Sequence, residues 1–163
     1  MKNLMIVAIL SLCLGLSGCS HLTGLLDAVA VAAAAAPAAI AALEASGVVS
    51  TADGNKVMAL TETVAQDTGK AITDSESGLS TAKISAAIIA DYSNLPATIP
   101  GLSPQAQAVA QGVLAAVQAV LVAVGTGKTN EKTFKMTHDV KMKLETTRGK
   151  CEKAAGDAKA ARK

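Results

Sequence analysis

Side chains able to act as nucleophiles, metal ligands or proton carriers are few in this chain of 163 residues, and they are scattered. The thiols are Cys13, Cys19 and Cys151, and the imidazoles are His21 and His138. Nucleophilic catalysis of the triad type needs a nucleophile, a base and an orienting acid in one place, and no segment gathers them. A zinc-type site needs three or four ligands. His138-Asp139 offers two, and no CxxC pair exists. The residue types therefore predict no catalytic residue, no cofactor-binding residue, no metal ligand and no enzymatic activity.

Two short motifs point the same way. Asp67-Thr68-Gly69 has the composition of an aspartic-protease triplet, a chemistry that requires two carboxylates sharing a proton. No second copy is present, and Asp67 falls in a helical pattern with Lys70 nearby, which predicts a solvated face. Gly125-Thr126-Gly127-Lys128-Thr129 resembles the end of a phosphate-binding P-loop, but Val122 stands where that pattern needs glycine. The loop should also follow a strand, and here a helical pattern precedes it. It reads as a glycine loop that ends a helix.

The most informative stretch is Leu16-Ser17-Gly18-Cys19, which follows Lys2 and a predominantly apolar run from Leu4 to Leu16. Charge, a short apolar segment and then small residues is the order of an export signal. A helix over that run spans about 20 Å, short of the ~30 Å hydrocarbon core. The stretch resembles the lipobox of bacterial lipoproteins. Cys13 does not fit it, because bulky Leu12 precedes that thiol where Gly18 precedes Cys19. The resemblance implies a diacylglyceryl group on Cys19, cleavage between Gly18 and Cys19, and acylation of the new amino terminus. Ser20 rather than aspartate after the cysteine is similar to lipoproteins sent to the outer membrane, facing the periplasm, in a Gram-negative host. Two or more acyl chains give stable attachment, at ~0.8 kcal/mol per buried CH₂. The expected partition is a signal peptide over 1–18, a lipidated tether over 19–24, a helical domain over 25–125 and a basic tail over 126–163.

Composition narrows the rest. One tyrosine, one phenylalanine and no tryptophan leave Ala, Val, Leu and Ile to build the core, and alanine buries little area per residue. The same scarcity excludes base-stacking nucleic-acid modules. With Cys19 acylated, Cys151 has no intrachain partner, so it is expected as an exposed free thiol or as one that pairs with another chain. Charge is segregated: residues 19–125 hold three lysines against eight acids, and residues 126–163 hold eleven Lys and Arg against five acids. That asymmetry suggests an interaction tail.

Helical signals dominate from 25 to 125. Alanine, the best helix former, fills 25–46, with Gly47 as the stop and Pro37 expected to kink or split the helix. The stretch 28–43 is apolar all round, which suits burial, self-association or membrane contact. Ser50 and Asp53 form a capping-box pattern ahead of Val57, Leu60, Val64, Ala71 and Ile72 at helical spacing. A third helix is expected from Ser80 through Tyr92, ending before Pro96. Ser103-Pro104 opens a fourth, striped by Val109, Val113, Val117, Val120 and Val124. The fold class expected is all-α, a small Ala-rich antiparallel bundle.

In the tail, Phe134, Met136, His138, Val140, Met142 and Leu144 alternate with Lys135, Thr137, Asp139, Lys141 and Lys143. That period of two predicts a short strand or hairpin within 133–145. The end, Ala160-Ala161-Arg162-Lys163, resembles that of the murein lipoprotein family, which implies attachment of the Lys163 side chain to peptidoglycan. The body departs from that family's long coiled coil, having Pro37, Pro96, Pro100 and Pro104. The expected partners are a membrane through the lipid, peptidoglycan or an anionic envelope polymer through the tail, and further copies of the chain in a homo-oligomer. The expected role is structural, tethering or adaptor-like in the bacterial cell envelope. The alternative is a membrane-active helical lipoprotein, pore-forming or excluding.

Overall fold

A computed structural model describes residues 22–76, 90, 92, 95, 99–125 and 138–162. The fold class is all-α, and four long helices are bounded among the described residues: α1 (Leu22–Ala45), α2 (Thr51–Glu76), α3 (Pro104–Gly125) and α4 (His138–Ala161). α1 and α2 form an inner pair that packs most of the chain together. α3 lies against both of them on one flank and α4 against both on the other, with little contact between α3 and α4.

The helix ends follow local chemistry. Gly47, at φ 70, closes α1. The Val48 amide donates to the Leu43 carbonyl at 3.0 Å and the Gly47 amide to Glu44 at 2.9 Å, which is a left-handed glycine cap. Ser50 caps α2, its hydroxyl accepting from the Asp53 amide at 3.1 Å. Ser103 caps α3 through Ala106 at 3.4 Å, and Pro104 takes the first helical position. Pro37 lies inside α1 without splitting it. The Ala-rich turns on either side favour helix strongly enough to continue past one missing amide.

Contacts between named residues set the directions. Ile40 and Glu44 near the end of α1 meet Gly54 near the start of α2, where a Cβ would lie 3.0 Å from Ile40 Cγ2. α1 and α2 are therefore antiparallel, and glycine permits their close approach. The Ser103 amide donates to Asp53 Oδ2 at 3.2 Å, bringing the starts of α2 and α3 together. Asp27 meets Thr147 and Lys150, and Ala33 meets Ala154, so α4 runs parallel to α1. The bundle has two poles. The starts of α1 and α4 share one with the ends of α2 and α3. The other holds the starts of α2 and α3, and α4 runs toward it but ends beside mid-α2, where Arg162 pairs with Glu62.

The core is aliphatic. Leu26, Val29, Val57, Met58, Val64, Ile72, Val113 and Val117 are almost fully buried, and Tyr92 is the one aromatic among them. The tyrosine hydroxyl lies 2.5 Å from Thr68 Oγ1, so its polar end is satisfied inside the core. All five valines of the expected α3 stripe and all five expected α2 core residues are buried.

Two expectations are corrected for the tail. Residues 138–145 are helical rather than strand or hairpin, and no strand occurs among the described residues; residues 133–137 lie outside them. The alternation misleads because His138 and Met142 are exposed, while the buried set is Leu144, Thr147, Cys151, Ala154 and Ala158. That spacing of three and four is a helix stripe built from small side chains. Residues 138–161, placed in a tail outside the 25–125 domain, are packed into the bundle. Leu22 to Gly24 of the expected tether belong to α1. Most of the expected third helix lies outside the described residues, although Ala90 and Tyr92 are helical.

Candidate functional site

The residues singled out from the sequence do not converge. Gly18, Cys19, His21 and Lys163 lie outside the described residues, as do positions 126–129 of the P-loop-like segment. His138 is exposed at the start of α4. Asp67-Thr68-Gly69 sits in mid-α2, with Thr68 buried and donating to the Val64 carbonyl at 2.6 Å. Among the described residues no group of three or more His, Cys, Asp or Glu could hold a metal ion.

Cys151 corrects another expectation. It is a free thiol, but it is fully buried rather than exposed, and no other chain could reach it without opening α4. It packs opposite Gly69, where an added Cβ would lie at an ordinary contact distance of 3.8 Å from the Cys151 Cβ. Burial pushes its pKa up from the usual 9.0 to about 12, helped by the negative charges of Asp27 and Glu152 and opposed by Lys150. A thiol held neutral in this way is inert as a nucleophile. A cavity of about 410 Å³ opens beside it between α2 and α4, edged by Gln66, Lys70, Thr73, Arg148 and Glu152.

The acidic body and the basic tail meet inside the molecule. Asp27 of α1 accepts from Lys150 Nζ at 2.6 Å and from Thr147 Oγ1 at 3.2 Å. Arg162 pairs with Glu62 of α2. Part of the positive charge expected to seek an outside partner is thus matched by the chain's own carboxylates. Sequence reasoning did not find these pairs, because their members are 100 to 123 residues apart.

The helices differ in outer face. α3 has no charged residue along its whole length, and α1 has only Asp27 and Glu44. Thr23–Ala45 and Pro104–Val124 are long and apolar enough to cross a membrane, with mean hydropathies of 2.0 and 1.8. Comparison with family models, curated proteins and solved structures finds no match to this chain.

The arrangement of the two poles bears most on function. α1 begins at Leu22, with only Ser20 and His21 between it and Cys19 in the sequence. α4 runs parallel to α1 and carries Arg162 away from that end. From the level of Leu22 to that of Arg162 is about 25–30 Å along the bundle, at the helical rise of ~1.5 Å per residue.

Proposed function

We propose that this chain is a lipid-anchored protein of the bacterial cell envelope with a structural, tethering or adaptor role, its lipid carried on Cys19. In a Gram-negative host the reading is an outer-membrane protein facing the periplasm. Leu16-Ser17-Gly18-Cys19 and the apolar run before it support the anchor. The observation that carries the tethering role is the opposition of the two poles. A lipid at Cys19 would attach near the pole where α1 starts, while α4 runs toward the other and ends at Ala161. The bundle between them is a spacer that sets a fixed distance between a bilayer and whatever the basic end meets, such as peptidoglycan or another anionic polymer. An adaptor needs no reaction centre, only ends of different chemistry on a rigid body.

Mass analysis of the purified protein tests both ends. The expected result is a mature chain beginning at acylated Cys19, with a muropeptide mass on Lys163 where the wall is the partner. Replacing Cys19 with Ser should move the protein from membranes into the soluble fraction. An unmodified Cys19 in a protein free of membranes overturns the proposal.

A second reading, a membrane-active helical lipoprotein, draws on the span-length apolar helices α1 and α3. It stands second because α2 lies between them in the chain and carries Asp53, Lys56, Glu62, Asp67, Lys70 and Asp74. Crossing by both helices would leave that charged helix beyond the bilayer and strip α1 and α3 from it, although 39% and 44% of their spans are buried inside the bundle. Release of dye from liposomes by the mature chain would reverse this order.

A further inference from the structure

The crevice of about 410 Å³ between α2 and α4 has a lining sorted by size and charge, and all of that lining belongs to the described residues. Small residues form the floor: Ala65 and Gly69 on α2, Cys151 and Ala155 on α4. Ala65 and Cys151 are buried, and Gly69 and Ala155 are half-buried. Long polar side chains form the walls. Gln66, Lys70 and Thr73 recur on α2 at steps of four and three, and Arg148 and Glu152 on α4 at a step of four. Those spacings keep each set on one face of its helix. The helices are antiparallel, with Gly69 beside Cys151 and Ala65 beside Ala154, so the two sets flank one seam. A helix seam ordinarily closes because aliphatic side chains interlock. Here the floor residues are too short to close it, and the residues around them are hydrophilic.

The chemistry of the lining selects a ligand. Two lining residues are cations, Lys70 and Arg148, and one is an anion, Glu152. An excess of one positive charge matches a carboxylate, whereas Glu152 would repel a phosphate dianion. Arg148 also offers a carboxylate its planar fork of donors. Its Nε lies 3.6 Å from Glu152 Oε1, beyond hydrogen-bond length, and Glu152 is 71% exposed. A pair so open to water contributes little, so an incoming carboxylate displaces it at small cost. The walls also present acceptors. Gln66 Nε2 donates to Glu62 at 3.3 Å and the Thr73 hydroxyl donates to the Gly69 carbonyl at 3.1 Å. Gln66 Oε1 and Thr73 Oγ1 are then left to accept, which is what peptide N–H groups require. Four small floor residues make no tunnel for a fatty chain, but they suit methyl groups.

We infer that this crevice binds the carboxy-terminal end of a short peptide with small apolar side chains. The carboxylate sits between Lys70 and Arg148, the methyl groups lie over Gly69 and Ala155, and the peptide amides donate to Gln66 and Thr73. Ligand sites run from ~300 to 1,000 Å³, so this one is small and takes about two or three such residues. The site goes beyond the tethering role and needs nothing from Cys19, so either reading can fail without the other.

The probe is acetyl-Ala-Ala with a free carboxylate, titrated into the isotopically labelled full chain while amide signals are followed by NMR. The expected result is saturable shifts centred on Gly69, Thr73 and Glu152, half-complete at about 1 mM, the order that a ligand of this size reaches. The same peptide closed as a carboxamide should bind about fivefold more weakly, the upper end for a partly exposed ion pair. Lys70→Gln and Arg148→Gln should each weaken the free acid by a similar factor and leave the carboxamide unchanged. Glu152→Gln should tighten the free acid. Ala155→Leu fills the floor and should abolish the shifts. Circular dichroism and the urea midpoint check that each variant folds. Should Ala155→Leu fail that check, the charge variants on the walls decide the matter alone. Absence of any shift at about 20 mM peptide, well above the expected value, overturns the inference. Equal binding of the carboxamide overturns it, because the carboxylate is then not what is held. Equal binding of inorganic phosphate overturns it too, because the crevice is then an unspecific cationic patch. So do shifts centred on α3 or on any other surface.

Discussion

α3 and α4 occupy equivalent places, one on each flank of the α1–α2 pair, yet they are held there by different means. α3 inserts Val109, Val113, Val117, Val120 and Val124 and carries no charge. α4 inserts Leu144, Thr147, Cys151, Ala154 and Ala158 and is tied at its rim by Lys150 to Asp27 and by Arg162 to Glu62. Branched aliphatic side chains on α3 bury enough area to hold a helix by themselves. Small ones on α4 let the backbones approach closely and leave more of the work to fit and to polar contacts. The two flanks should therefore respond differently to the same kind of change: loss of volume against gain of volume, and salt against no salt.

The largest effect is expected where α4 has its one big buried side chain. Leu144 is fully buried, and Leu144→Ala should cost about 2–5 kcal/mol, as large-to-small changes in cores do. The urea midpoint of the full chain measures the loss. Hydrogen exchange assigns it, with α4 amides losing protection before those of α3. Equal loss on both flanks would show that α4 is no more dependent on a single side chain than α3.

The next effect depends on pH. Folding holds the Cys151 thiol neutral up to about 12, whereas an ordinary thiol ionises near 9.0. Between these values the unfolded chain binds fewer protons than the folded one, so stability falls as pH rises. The slope from this group is about 1.4 kcal/mol per pH unit, beginning near pH 9 and absent below it. Cys151→Ala should flatten that part of the curve in denaturant titrations run from pH 8 to pH 11. The same burial predicts that a thiol reagent modifies Cys151 at the rate at which α4 opens, and not at the rate of an exposed cysteine.

These two residues also show why one flank was legible in the sequence and the other was not. On α3 the stripe is all valine and the start is Ser103-Pro104, so period and boundary are both visible. On α4 the buried Thr147, Cys151, Ala154 and Ala158 are hardly more apolar than their exposed neighbours Thr146, Ala160 and Gly149. Hydropathy cannot pick out a seam that is defined by size. Exposed His138 and Met142, falling in step with Leu144, supplied a false alternation instead. Caps were readable for a local reason: Ser50 and Asp53 act across three residues. Asp27 with Lys150 was not, because nothing near either residue signals the other. The lipobox-like motif stood out because its four residues are contiguous. The opposition of the poles depends on α4 running parallel to α1, which only packing reveals.

Adding volume should reverse the contrast. Ala33, Ala65 and Ala154 meet at one point where α1, α2 and α4 converge. Ala154→Leu forces extra methylenes into that contact and should destabilise by about 1–3 kcal/mol. A change of similar character on the other flank, Val117→Ile, adds one methylene to an aliphatic seam and should cost less than about 1.5 kcal/mol. If the α3 variant proves the more costly, the small-residue fit of α4 is not what distinguishes the flanks.

The smallest effect separates the flanks by salt. Asp27 and Lys150 are 39% and 43% exposed, and Arg162 is 38% exposed against 14% for Glu62. Water and ions reach both pairs, so each should contribute only about 0.2–1 kcal/mol. Asp27→Asn keeps an acceptor for Thr147 while removing the charge that faces Lys150, and Glu62→Gln does the same for Arg162. Each variant should lose a few tenths of a kcal/mol at low salt, and the wild-type protein should approach it as salt rises and the Debye length shortens to about 3 Å near 1 M. Proteolysis at low salt gives a second readout, because α4 should be cut sooner in the double variant while α3 is unaffected. Should the basic end meet an anionic polymer, that polymer would compete for Arg162 in the same way as salt. Accelerated cleavage of wild-type α4 on adding such a polymer, with no further acceleration in Glu62→Gln, would show that the internal pair and the outside partner draw on the same charge.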